Sequence, residues 1–299
     1  MPLSEKQNQT LIWTAVSILA LIAFLVGLGI SALALPKPQI GVIYVDDVIS
    51  AQFLPYLSQP MNYAMEHDEI VAVVLIVDSP GGSASVSEEL FYRTLQLRDK
   101  KPVVSSVRNL AASGSYYMAV ASNYIYSKPA ALVGSIGVVA GIPGVANPTE
   151  FQATTGPFKS GGSTAVDWIR GMEVLKDAFV GHVYEQRIYM LEHMHPESRA
   201  ALLPDFDHIG TGQVWFAPVA YDIGLIDALG SDLDAIQKAA ELAHVANYEI
   251  VDLTGLVIYD DPEFYFGVEA ERAQPDWSQE LLTEGPWPSF YHLYLPPEE

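Results

Sequence analysis

Residues 11–35 carry no charged side chain and consist mostly of Leu, Ile, Val and Ala. At 1.5 Å rise per helical residue this run reaches about 37 Å, longer than the roughly 30 Å hydrocarbon core of a bilayer. A helix buried in a soluble core would show a polar face, and here only Thr14, Ser17 and Ser31 interrupt the apolar surface. The run reads as a single membrane-spanning anchor behind a short polar segment, 1–10. A cleavable export signal is the competing reading, because Ala32-Leu33-Ala34 offers a small-residue cleavage site. The apolar stretch exceeds the usual 7–15 residues of such signals, and Lys6 is the only basic residue ahead of it. The anchor is favoured. Lys6 and Lys37 balance each other, so charge alone leaves the orientation open.

Beyond the anchor the chain reads as a folded domain. Pro36-Lys37-Pro38 begins a linker, 36–39, and residues 40–45 have strand character. A helical stretch is expected over 51–66. Residues 71–77 (VAVVLIV) form a continuous β-branched run, the pattern of a strand buried on both faces of a helix-covered parallel sheet. A helix should start near Ser85, with Ser85 and Glu88 at capping-box spacing and Val86, Leu90, Phe91 and Leu95 on its apolar face. The next strand is 103–107, and a short helix starts near Ser113. A long helix is predicted between 166 and 194, with Trp168, Met172, Leu175, Phe179 and Val183 as one buried stripe. Strands alternating with helices indicate an α/β layer fold. The domain is drawn over 40–248, followed by an acidic tail, 249–299, rich in proline and aromatic residues.

Composition excludes several chemistries. The chain has no cysteine, so disulfides, thiolate metal sites and a cysteine nucleophile are absent. With 15 basic and 36 acidic residues the net charge is −21, which repels phosphate backbones and argues against a nucleic-acid partner. Neither a zinc-protease histidine signature nor a phosphate-binding loop is present.

Three short motifs remain. Asp78-Ser79-Pro80-Gly81-Gly82 comes directly after the buried strand, and its glycines can leave backbone amides open to a developing oxyanion. By itself it is also an ordinary strand-to-helix turn. Ala111-Ala112-Ser113-Gly114 places a serine among small residues at a strand–helix junction, where the Gly114 amide would sit at a helix N-terminus. Such a serine can equally be a plain helix cap. No histidine occurs between Asp68 and Gly181, so a nearby Ser–His pair lacks support. His182 falls on the long helix, and His193 and His195 read as surface residues. Lys159, one of eight lysines, lies in a glycine-rich loop beside Phe158. A lysine with its ordinary value near 10.4 is almost wholly charged at pH 7. Using one as a base requires lowering that value by about three units, a cost of about 4 kcal/mol that burial must supply. Lysine catalysis therefore demands a dry pocket.

In their order, these motifs resemble the signal peptide peptidase A family of serine–lysine proteases. The resemblance continues through Gly134-Ser135-Ile136-Gly137-Val138 and Gly156-Pro157-Phe158-Lys159. It extends to Phe179, Val180, Val183 and Arg187, and to Thr211-Gly212-Gln213-Val214 with Ala220 and Gly224-Leu225-Ile226-Asp227. It covers about 40–245. It implies a fold shared with Clp-type proteases and crotonases, of repeated β-β-α layers with a parallel sheet. It also implies Ser113 as nucleophile, Lys159 as general base, the Gly82 and Gly114 amides as oxyanion hole, and Ser135 as the residue orienting the lysine. No metal or organic cofactor is implied. The expected substrates are signal peptides or other membrane-derived peptides. The expected assembly is a homo-oligomeric ring in which serine and lysine can come from neighbouring protomers. The expected location is the cell membrane, with a single pass and an extracytoplasmic catalytic domain. Three features depart from the family: Ser115 stands where a second glycine is usual, the segment after Lys159 lacks the expected acidic, charged pattern, and the tail beyond Gly255 has no counterpart. A catalytically silent scaffold of the same fold is the alternative function. Acyl-CoA chemistry ranks below it, since no basic cluster is available to hold a nucleotide's phosphates.

Overall fold

The apolar run at 71–77 becomes the central strand of a parallel sheet because helices cover both of its faces. The computed structural model describes residues 5–34, 37–141, 155–156, 158–159, 162–194 and 202–260. It divides into two compact units, Met1–Pro38 and Gln39–Glu299. The first unit contains helix α1 (Glu5–Ala34). Its described side chains include an unbroken exposed run from Trp13 to Val26, about 21 Å of helix. Among the described residues no helix is long and apolar enough to cross a membrane.

The second unit begins with β1 (Gln39–Val45), α2 (Leu54–Glu66), β2 (Ile70–Ser79), α3 (Ala84–Arg98), β3 (Val103–Ala112) and α4 (Gly114–Ala119). Next come β4 (Tyr124–Ser127), β5 (Leu132–Gly134), α5 (Ala165–His193), α6 (Phe206–Ile209), β6 (Val214–Phe216) and α7 (Ala217–Asp222). It closes with β7 (Ala228–Leu229), α8 (Asp232–Leu242), β8 (Glu249–Asp252) and α9 (Leu253–Tyr259). The strands run β6-β5-β3-β2-β1-β8, with β4 also on β3 and β7 on β4. Every pairing is parallel except β5 with β6. The fold is thus mixed α/β with a mostly parallel sheet.

Alternation along β2 explains its composition. Ala72, Val74 and Ile76 pack with Ile40, Val42 and Ala235, Ile236 and Ala239 of α8. Val73, Leu75 and Val77 point the other way, into a larger core with Leu57 and Met61 of α2 and Leu90 and Phe91 of α3. With no solvated face, β2 has no use for polar residues until it ends.

β3 decides where chemistry can occur. Its first half, Val104 to Val107, pairs with β4, whereas Leu110 to Ala112 pairs with β5. One strand therefore serves two neighbours and leaves its C-terminal end beside that of β5. Ala112 lies opposite Gly134, so Ser113 and Ser135 leave adjacent strand ends.

Several details differ from the sequence reading. The cap of α3 is Ser83, not Ser85, and its side chain makes no capping hydrogen bond. The capping box that does form is Ser231 with Asp234, at α8. The stripe on α5 is buried at Phe179 and Val183, but Trp168, Met172 and Leu175 are only half-buried. α5 also has a polar anchor. Arg187, fully buried, forms a two-pronged ion pair with Asp227 (2.9 and 2.8 Å) and donates from Nε to the Gly224 carbonyl (2.8 Å). Asp227 also accepts from the Ile125 amide of β4 (2.8 Å). Finally, the boundary drawn at 248 is too early. β8 pairs with β1 from Glu249 to Asp252, and Leu253 of α9 lies in the core. The sheet needed an edge strand that a four-residue, half-polar segment could supply, and four residues show no readable period. The tail from 261 onward lies outside the described residues.

Candidate active site

Ser113 sits between β3 and α4 with φ 56° and ψ −121°, a conformation that costs a non-glycine residue energy. Two backbone bonds hold it there: its N–H donates to the Gly134 carbonyl (2.7 Å), and its carbonyl accepts from Tyr117 N–H (2.9 Å). The side chain is 1% exposed, yet among the described residues its Oγ is the buried side-chain polar atom with no hydrogen-bond partner. Buried hydroxyls are ordinarily satisfied. A strained backbone presenting an unsatisfied hydroxyl is what a nucleophile requires, and a helix cap would instead bond its own helix.

The glycine turn reaches the same place. β2 slips in register against β3 between Val77 and Ser79, and Ser79 comes to lie opposite Ala111. Ile49 then clamps the turn, donating to the Gly81 carbonyl (2.8 Å) and accepting from Ser83 N–H (2.7 Å). A methyl group on Gly114 would lie 3.3 Å from the Gly82 nitrogen, so the two amides are neighbours. Neither has an acceptor among the described residues. A methyl on Gly82 would meet the Ile49 carbonyl oxygen at 2.0 Å, which excludes any side chain there.

Ser113 opens onto a cavity of about 210 Å³ that Ser135, Val138, Val139, Lys176 and Thr211 also line. Ser135 too has a positive φ, 52°, and donates its amide to the Gln213 carbonyl (2.7 Å). Lys176, of α5, has no signature in the sequence, since a single lysine on an amphipathic helix carries no motif. It hydrogen-bonds the Glu173 carboxylate, which raises its pKa above the ordinary lysine value and keeps it an ammonium, unsuited to accept a proton.

The structure brings together Ser113, Gly82, Gly114 and Ser135. Lys159 it does not bring to them: the residue lies exposed in a turn, beside a half-exposed Phe158, and is absent from the cavity lining. The dry pocket expected around it is not formed by the described residues. Among the described residues no histidine lines the Ser113 cavity. His182 Nδ1 shares a 2.6 Å hydrogen bond with the Tyr117 hydroxyl, and its ring stacks on Phe91. Burial raises the Tyr117 hydroxyl well above its ordinary pKa, so it remains a donor. His193 is exposed, and His195 lies outside the described residues. Among the described residues no group of three acidic or histidine side chains is placed to hold a metal.

A serine so placed can attack a carbonyl while two free amides receive the negative charge, the arrangement of a nucleophilic acyl-transfer site. The model of peptidase family S49 matches residues 95–246, half of the chain, and the chain belongs to that family. Protease 4 of Salmonella typhi is 32% identical over 192 residues, covering 61% of this chain and 30% of that protein. The chloroplastic serine protease SPPA of Arabidopsis thaliana is 31% identical over 210 residues, 69% of this chain and 31% of its own. A Methanocaldococcus jannaschii relative is 31% identical over 192 residues, 62% of this chain and 60% of that one. The match thus spans less than two thirds of the length of each of these relatives.

Proposed function

We propose that the chain is a membrane-anchored serine endopeptidase that cleaves peptides through an acyl-enzyme on Ser113. The observation that carries this reading is the buried Ser113 hydroxyl, unpartnered under a strained backbone and facing a cavity. In the first step Oγ bonds to the scissile carbonyl carbon, its proton passes to the base, and the amine leaves carrying that proton. Water then releases the acyl group. The Gly82 and Gly114 amides hold the oxyanion, and Ser135 orients the base. The Clp/crotonase arrangement of layers accords with the fork in β3.

Lys159 acts as the base from a neighbouring protomer of a homo-oligomer, where a subunit contact supplies the dryness that a single chain lacks. Membrane attachment through residues 11–35 is supported by the exposed apolar surface of α1, where Trp13, Leu19 and Phe24 each expose more than half of their area. Substrates are membrane-derived peptides such as cleaved signal peptides, in keeping with the apolar wall of Val138 and Val139. The active site then faces the extracytoplasmic side.

The test is hydrolysis of a fluorogenic peptide by the full chain in detergent, together with labelling by a serine-directed fluorophosphonate. Unchanged labelling in Ser113→Ala would refute the nucleophile. The shared site has its own test. Ser113→Ala and Lys159→Ala are each expected to be inactive, but unfolding and reassembling them in equal amounts should restore about a quarter of wild-type activity, the fraction of interfaces pairing an intact serine with an intact lysine. No recovery in oligomers verified as mixed would place both groups in one protomer. Gly82→Ala, whose methyl meets the Ile49 backbone, is expected to lower kcat about 10²-fold, the scale of losing one oxyanion donor. An unchanged kcat would remove that amide from the site.

A further inference from the structure

Behind the nucleophile lies a hydroxyl that the chemistry above does not use. Ser115, on the first turn of α4, is fully buried. Its Oγ lies 2.7 Å from the Ser79 carbonyl and 2.8 Å from the Ala112 carbonyl, placed to donate to either. These acceptors are not ordinary neighbours. Ser79 ends β2 and leads through Pro80 into the Gly81-Gly82 turn, whereas Ala112 ends β3 and precedes Ser113. One hydroxyl thus spans the two strand ends that carry the two halves of the oxyanion hole.

The clamp continues outward. Ser79 Oγ donates to the Asp47 carbonyl (2.6 Å) and accepts from Gly81 N–H (3.2 Å), tying the glycine turn to the loop that also holds Ile49. The backbone ladder alone does not provide this rigidity, because the β2–β3 register is irregular between Val77 and Ser79. The Ser115 contact lies just past that irregularity, where the ladder has stopped enforcing the spacing.

We infer that Ser115 is a positioning residue: its hydroxyl sets the distance between the Gly82 and Gly114 amides, so that both reach one developing oxyanion. Hydrogen-bond donation to a transition state depends steeply on geometry, and small displacements remote from the reacting atoms lower the rate. The inference rests on the proposed role of Ser113 and deepens it.

The experiment compares Ser115→Ala with wild type, Ser113→Ala and Ser122→Ala, all as full-length chain on the same fluorogenic peptide. Ser122 bonds Ser105 (2.7 Å) in a buried pair outside the site and controls for the loss of a buried hydroxyl. Ser115→Ala is expected to lower kcat about tenfold with KM within about twofold. Its affinity for a peptide aldehyde, whose adduct with Ser113 places an oxygen between the amides, should fall by a similar factor. The affinity for the corresponding peptide alcohol, which forms no adduct, should not change. Ser122→Ala should retain kcat at a comparable thermal shift. If kcat and aldehyde affinity of Ser115→Ala stay within about twofold of wild type while Ser113→Ala is inactive, the positioning role is refuted and the nucleophile stands. A parallel loss in Ser122→Ala would refute it too, by reducing the effect to general destabilisation. If Ser113→Ala retains activity, both readings fall together.

Discussion

Ser113→Ala is expected to abolish peptide hydrolysis, with kcat falling by about 10⁴-fold or more, while folding is left intact. The size reflects the route: without Oγ no acyl-enzyme can form, and the oxyanion amides alone give a small residual rate. Stability should not suffer. The hydroxyl has no partner to lose, and the strained backbone at 113 is held by main-chain bonds that alanine retains. An unfolded variant would point to a structural serine. A folded and fully active one would end the catalytic proposal. The combination expected, native melting with no turnover, distinguishes the two.

The largest stability effect is expected far from that hydroxyl, at Asp227. Asp227→Ala leaves the Arg187 guanidinium fully buried without its counter-charge and strips the Ile125 amide of its acceptor. Removing one member of a buried ion pair costs about 3–5 kcal/mol, a large share of the stability of a typical domain. Aspartate here stabilises the cation chiefly by opposing its desolvation. Asp227→Asn keeps the shape and one acceptor and should recover part of the loss. Replacing both partners by apolar residues of matched volume, Arg187→Met with Asp227→Leu, should be milder than Asp227→Ala. Chemical denaturation of the four proteins measures this directly. Equal stability of Asp227→Ala and wild type would mean that the pair does not hold α5 to the sheet.

How much of this is legible in the sequence depends on how local each determinant is. The continuous apolar run at 71–77 lies within β2, and the helices expected over 51–66 and 166–194 form as Leu54–Glu66 and Ala165–His193, because their signals sit in residues close together along the chain. The serine and the glycine turn are recognisable as an ordered set, although each is ambiguous alone. Ser85 with Glu88 has capping-box spacing, but the chain enters α3 two residues earlier because Ile49 pins the backbone at Gly81 and Ser83. β8 is unreadable because its strand character comes from pairing with β1, a partner about two hundred residues away.

By itself the sequence determined an α/β chain with a buried parallel strand and an apolar N-terminal helix, since these are written in neighbouring residues, whereas the peptidase character of its serine and glycine motifs came from the resemblance of their ordered set to a family. Only the tertiary structure decided that β3 forks, that Ser113 and Ser135 leave adjacent strand ends, that Ser115 ties two strand ends together, and that Lys159 stands apart from the cavity. Those facts depend on register and on close contacts between segments distant in the chain, and such contacts leave no periodic trace along it.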